Sequence, residues 1–213
     1  MEVAEIRNAL HRTDPFDGLK LQPLDLQGWQ SYESVFEELI VEVRPKLIVE
    51  VGTWKGASAI HMADLLVKHG LSDSVIVCVD TWLGSLEFWT NTEDETRYGA
   101  LGLVNGYPSV YYTFLSNVVR CGHEKRIVPF PATSSMAAEW FTRKDLYADL
   151  AYLDASHEKD DVEGDLLNWH PRVENATFGD DYTTFEGVKY AVDEYAKWGG
   201  FNLQTKESKW IIR

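Results

Sequence analysis

From residue 46 onward, short apolar runs alternate with longer stretches whose apolar positions recur every three or four residues. "KLIVEVG" (46–52), "SVIVCVD" (74–80), "RIVPF" (126–130), "ADLAYLD" (148–154) and "NATFGDD" (175–181) read as five short strands. The first two are nearly continuous in apolar and β-branched residues, the pattern of strands buried on both faces. Between them, "ASAIHMADLLVKHG" and "YYTFLSNVVRCG" carry helical spacing and close on Gly70 and Gly122. "SSMAAEWF" starts on serine caps. "KDDVEGDLLNWHPRV", with Pro171 near its end, and "FEGVKYAVDEYAKWGG" supply two more helices.

Strands and helices alternating at these lengths predict an α/β fold: a Rossmann-like, doubly wound, mostly parallel sheet with helices on both faces. "FNLQT" and "KWIIR" close the chain as candidates for an antiparallel edge, and "GWQSYESVFEELIVEV" reads as an extra helix upstream. Residues 1–27 give no firm signal. The segment from about 83 to 110 is long, aromatic and weakly periodic, which marks a functional insertion rather than a plain connection. At 213 residues the whole is expected to be a single domain, 1–213, with an N-terminal arm and helix (1–45) and a lid or cap at 83–110.

Charge narrows the partners. A net charge of −14 disfavours nucleic acid and anionic membranes, since phosphate contacts need clustered Lys and Arg. It favours a small molecule or a site built around a cation. Cys78 and Cys121 have neither disulfide-framework nor zinc spacing, and Cys78 reads as a buried thiol. With no apolar leader and no run of eighteen apolar residues, the chain is expected to be soluble and cytoplasmic.

Polar clusters fall at strand ends, where open parallel sheets bind ligands: "EVGTWKGAS", "VDTWLG", "LDASH" and "GDDY". Gly52 and Gly56 bracket a strand-to-helix turn, with Trp54 where a dinucleotide loop has its second glycine, so pyrophosphate fits poorly. Asp80 ends the second strand, where a carboxylate can take both ribose hydroxyls. Each also has a plain reading, as turn glycines and a solvated acid. Asp154 and the pair Asp180–Asp181 end the fourth and fifth strands, 26 residues apart. Converging carboxylates repel unless a hard divalent cation such as Mg²⁺ joins them; otherwise one of the pair caps a helix and the other is solvated.

"EVGTWKGAS" followed by an acid at the next strand end resembles class I S-adenosylmethionine-dependent methyltransferases of the catechol O-methyltransferase-like branch. "LDASHEKDDVEGDLLNWHPRV" with "GDDYTTFEGVKYAVDEY" resembles the macrocin O-methyltransferase-like enzymes. The resemblance covers residues 46 to 213. It implies a donor site of Glu50, Gly52, Thr53, Gly56, Ser58, Asp80, Thr81, Trp82, Thr133, Ser134 and Asp154. In that site Ser58 meets the methionine carboxylate, Asp80 the ribose and Trp82 the adenine. It implies a metal site of Asp154, Asp180 and Asp181. His157, three residues after Asp154, stands where the catechol branch has a lysine base, and imidazole can take a hydroxyl proton; with Asp154 it forms the expected catalytic pair, and otherwise it is a structural histidine hydrogen-bonded to a carboxylate.

The implied reaction is methyl transfer from S-adenosylmethionine to a hydroxyl of a sugar or aromatic ring. A nicotinamide oxidoreductase and a non-catalytic S-adenosylmethionine-binding relative are the alternatives. The insertion's aromatics (Trp82, Phe88, Trp89, Tyr98, Tyr107, Tyr111 and Tyr112) suit an acceptor pocket or, equally, a core or a homodimer contact.

Overall fold

The structure is a computed structural model and describes residues 3–213. Seven strands form one sheet in the order β3-β2-β1-β4-β5-β7-β6. The parallel members are β1 (Leu47–Val51), β2 (Val75–Asp80), β3 (Ile127–Pro131), β4 (Ala148–Leu153) and β5 (Val173–Gly179). β6 (Leu203–Lys206) and β7 (Lys209–Ile212) run antiparallel, and β7 lies between β5 and β6. The expected antiparallel edge is therefore a hairpin whose second strand is the inner one.

Alternation along each strand sends side chains to two cores. Val49, Val51, Val77, Val79 and Ala151 face one side, under helices α1 (Val3–Leu10), α6 (Ser134–Arg143), α7 (Lys159–Trp169) and α8 (Glu186–Gly199). Ile48, Ile76, Cys78, Tyr152 and Phe178 face the other, under α2 (Ser34–Val43), α3 (Ala57–Lys68) and α5 (Val110–Arg120). Burial on both faces is why the central runs carry almost no polar residue. The exception is Glu50, fully enclosed in β1.

Three expectations shift. The N-terminal stretch contains α1, and Ile6 of that helix is fully buried. The upstream helix begins only at Ser34, because residues 28–33 form a turn with Gln30 at φ 48°. β5 starts earlier, at Val173, and stops at Gly179, so Asp180 and Asp181 lie beyond the strand. The insertion is mostly irregular: a short helix α4 (Leu86–Thr90), a 3₁₀ turn at Gly99–Leu101 and a Val104–Tyr107 bridge. Among the described residues no helix is long and apolar enough to cross a membrane.

Candidate active site

The strand order reverses between β1 and β4, and the carboxyl ends of those two strands meet there. Ligands of open α/β sheets bind at such a switch point. The glycine loop after β1 packs directly on the start of the β4 loop. A Cβ on Gly52, which has φ +87°, would stand 2.1 Å from the Asp154 carbonyl oxygen. Gly52 is thus demanded by close backbone approach as well as by its φ. Gly56, also at φ +87°, starts α3 against Phe114.

Four polar residues of the expected donor site, Asp80, Glu50, Thr53 and Ser58, brace this loop. Asp80 Oδ2 accepts from the backbone N–H of Thr53 (2.9 Å) and Trp54 (2.8 Å), and its Oδ1 accepts from Trp82 N–H (2.7 Å). Three amide donors occupy most of the carboxylate's acceptor positions. Below it, Glu50 accepts from Thr53 Oγ1 (2.9 Å) and from the Ser58 hydroxyl. Burial lifts Glu50 to a pKa of about 7, against the pull of those two hydroxyls. Ser58 is therefore engaged inward, towards Glu50.

Trp82 corrects an expectation. It is buried at φ 53°, with its ring against Tyr111 and Phe114 and its indole donating to the Trp54 carbonyl (2.8 Å). Those contacts place it in the core instead of on an open adenine face. At the β3 end, Thr133 caps α6 by accepting from Met136 N–H, and Ser134 donates to Asp165 while accepting from Trp169 Nε1 (2.9 Å). Thr81 is exposed and accepts from Leu83 N–H (3.3 Å). Two buried polar atoms here have no protein partner, Trp54 Nε1 and Ser85 Oγ. They leave unmet hydrogen-bonding capacity between the glycine loop and the insertion.

The second half of the site joins the ends of β4 and β5. Asp154, Ala155, Ser156, His157, Asp180 and Asp181 line a small cleft closed below by Trp210 and Val188. Ligand-type atoms of Asp154, His157 and Asp181 all lie within 4.8 Å of one another. This set differs from the expected Asp154–Asp180–Asp181. Asp180 is turned away: its Oδ2 pairs with Lys209 Nζ at 2.7 Å, while Oδ1 accepts from Ser208 Oγ and from Asp181 N–H (2.6 Å). Lys209 is fully buried in β7, and it also meets Glu33 (3.1 Å) and the Gln30 carbonyl (3.1 Å). A buried ammonium with these partners has no spare acceptor to give up, so Asp180 is held.

His157 lies flat on Phe185, with ring centres 3.9 Å apart and planes 7° apart. Its Nε2 is 3.0 Å from Asp181 Oδ2 and its Nδ1 is 3.0 Å from Glu87 Oε1. Burial pushes the imidazole down, but Asp181, Glu87 and Asp154 outweigh it, and the pKa ends above its usual value. Burial, then the charges of Asp180 and Asp181, push Asp154 well above the carboxylate range; Tyr152 donates its hydroxyl to it at 3.0 Å. Two carboxylates and an imidazole, with surplus negative charge, form a donor set suited to a divalent cation. The remaining five histidines lie outside this cluster, His123 on Asp64, His69 on Glu37, His11 on the Pro129 carbonyl, His170 on Thr177 Oγ1 and His61 packed against Tyr32 and Phe36.

Two participants had no signal in the local sequence. Lys209 sits in an antiparallel strand far along the chain, and Glu87 is one of several acids in the insertion. Only the pairing of β7 with β5 and the folding back of α4 bring them in.

Known proteins bear on the family and the fold. The family described as "Methyltransferase domain" matches residues 49–182. Among solved structures, the O-methyltransferase NovP superposes with a TM-score of 0.60 at 21% identity, covering 84% of this chain and 76% of its own. The O-methyltransferase from Bacillus cereus in complex with SAH gives 0.59 at 14%, covering 99% and 88%. TomG from Streptomyces achromogenes, an O-methyltransferase solved with SAM, gives 0.61 at 12%, covering 97% of each chain. At these identities the likeness shows the fold. Curated protein sequences give no match.

Proposed function

Because the chain belongs to this methyltransferase-domain family and is an S-adenosylmethionine-dependent methyltransferase, we propose that it methylates a hydroxyl of a small-molecule acceptor with help from a divalent cation. The observation that carries this reading is the Asp154–His157–Asp181 cluster at the switch point, adjoining the glycine loop. The calicheamicin methyltransferase CalS11, a TDP-rhamnose 3'-O-methyltransferase, has the same fold, which brings a sugar hydroxyl into the acceptor class to be tested.

In this reading Asp154, Asp181 and His157 Nε2 would hold the cation, or the two carboxylates would hold it while His157 turns Nε2 to the acceptor. A bound divalent cation supplies Lewis acidity towards a hydroxyl. The acceptor oxygen forms its bond to the methyl carbon as the carbon–sulfur bond breaks and its electron pair returns to sulfur. In the second arrangement, with Nε2 turned to the acceptor, the hydroxyl proton passes to His157 Nε2. The chain's own work is positioning: Glu50, Thr53, Ser58 and Asp80 keep the glycine loop in shape, and the insertion excludes water. Trp54 Nε1 and Ser85 Oγ have donor capacity left for the ligand.

Transfer of labelled methyl from S-adenosylmethionine to a panel of sugar and phenolic hydroxyls tests this. Product is expected with Mg²⁺ and lost with chelator, and His157→Ala is expected to lower kcat by roughly 10²–10⁴-fold with donor affinity nearly unchanged. Transfer that is indifferent to chelator and to Asp154→Ala would remove the cation from the mechanism. The nicotinamide alternative is set aside by the family match.

A further inference from the structure

The insertion does more than cover the site. Glu87, on the first turn of α4, reaches across to the β4 loop, and its Oε1 lies 3.0 Å from His157 Nδ1. Its other oxygen lies 3.5 Å from Arg97 NH2, farther along the same insertion. The carboxylate is thereby divided between one partner inside its own segment and one outside it. His157 is in turn fixed by the Phe185 stack and by Asp181 at Nε2.

We infer that Glu87 is a positioning residue, which accepts the Nδ1 proton of His157 and so commits the ring's other nitrogen to the Asp154–Asp181 side. The argument rests on the proposed methyltransferase site but on a separate contact. A neutral imidazole carries one proton, and the hydrogen bond made by one nitrogen decides what the other can do. An ionised glutamate can only accept, so a proton stays on Nδ1; Asp181 Oδ2, 3.0 Å from Nε2, accepts from the protonated ring in the same way, and the Nε2 lone pair is presented once that second proton has left. A ligating or proton-accepting histidine without such an outer partner loses orientation and basicity. Phe185 alone cannot supply this, because stacking fixes the ring plane and leaves its rotation within the plane free. Since the partner comes from the insertion, His157 is set only when α4 lies against the β4 loop. Seating of the insertion and readiness of the base are one event.

Nuclear magnetic resonance of protein labelled with ¹⁵N-histidine tests this without substrate, donor or metal. A downfield, slowly exchanging Nδ1–H of His157 is expected in the wild type. It should be lost in Glu87→Ala and retained in Glu87→Gln, whose amide oxygen still accepts. Its absence from the wild type, or its persistence in Glu87→Ala, would overturn the assignment. Titration of S-adenosylhomocysteine should give the same affinity for all three proteins, showing that the fold is intact. Mn²⁺ titration is a further arm, with affinity expected to fall about 10- to 100-fold in Glu87→Ala; equal Mn²⁺ affinity in the two would count against Glu87. A wild type that binds no Mn²⁺ at all would sink the cation reading, while the resonance would still decide the role of Glu87.

Discussion

Asp180 and Asp181 are neighbours with opposite duties. Asp180 neutralises a buried lysine, and Asp181 faces the cleft beside His157. Asp180→Ala leaves the Lys209 ammonium with the more exposed Glu33 and the Gln30 carbonyl, and breaking a buried pair costs about 3–5 kcal/mol. Urea unfolding should show that loss, whereas Asp181→Ala should cost less stability and abolish Mn²⁺ binding measured by calorimetry. Equal stability losses in the two would contradict this division. Asp165 offers a pH test: burial raises its pKa to about 6 against the pull of Ser134. The folded state then holds the proton more tightly than the unfolded one. Its contribution is fully present below about pH 4 and is lost as pH rises through about 6. Asp165→Asn is expected to gain up to about 3 kcal/mol over wild type between those limits, less if solvent reaches the carboxylate. A constant difference across that range would rule out Asp165 as the titrating group. The three strand-end acids were legible in the sequence, since each ends an apolar run. Which of them would face the cleft was not, because the answer depends on Lys209, whose strand reaches β5 only through antiparallel pairing.

At the level of elements, the junction between the glycine loop and the β4 loop has the least tolerance. In Gly52→Ala the new methyl would collide with the Asp154 carbonyl in a backbone conformation unfavourable to alanine. The strain alone costs about 1–3 kcal/mol, and relief by separating the loops would misplace Asp154. Both denaturant midpoint and S-adenosylhomocysteine affinity should therefore fall in this variant; a lowered midpoint with unaltered affinity would mean that the donor does not sense this junction. The five parallel strands and their helices were readable because burial on two faces leaves a continuous apolar signature. α1 was not, because an eight-residue helix with a modest apolar stripe resembles any solvated arm. Trp82 was misread for a different reason: an aromatic after a strand end looks like a ring platform until its positive φ turns it into the core.

Across the whole molecule, the N-terminal arm ties distant parts together. Lys55 Nζ in the glycine loop meets Asp25 (2.6 Å) and Gln27 (2.8 Å), Gln27 donates to the Thr96 carbonyl of the insertion, and Asn117 of α5 donates to the Asp25 carbonyl. Trp29 then sets its ring edge against Phe88 of α4. Arm, loop and insertion therefore form one latch over the donor side. Gln27→Ala removes the link to Thr96 and should raise amide hydrogen exchange in residues 83–110 with little change in the sheet; unchanged exchange there would mean that the insertion is held without the arm.

The inner position of β7 has a bearing on biosynthesis. A nascent chain delivers β1 to β5 first, and domains tend to fold as their segments emerge. β6 leaves the ribosome before β7 yet cannot join the sheet until β7 has slotted between it and β5. Until residue 209 is free of the exit tunnel, Asp180 has no ammonium to face, and Asp181 has no fixed neighbour from which to hang. The parallel half and its glycine loop can form early, but the Asp154–His157–Asp181 cluster is assembled last. Stalled chains from which residues 1–182 have emerged, while residue 209 is still inside the tunnel, should therefore resist proteolysis through the first five strands and cannot yet methylate.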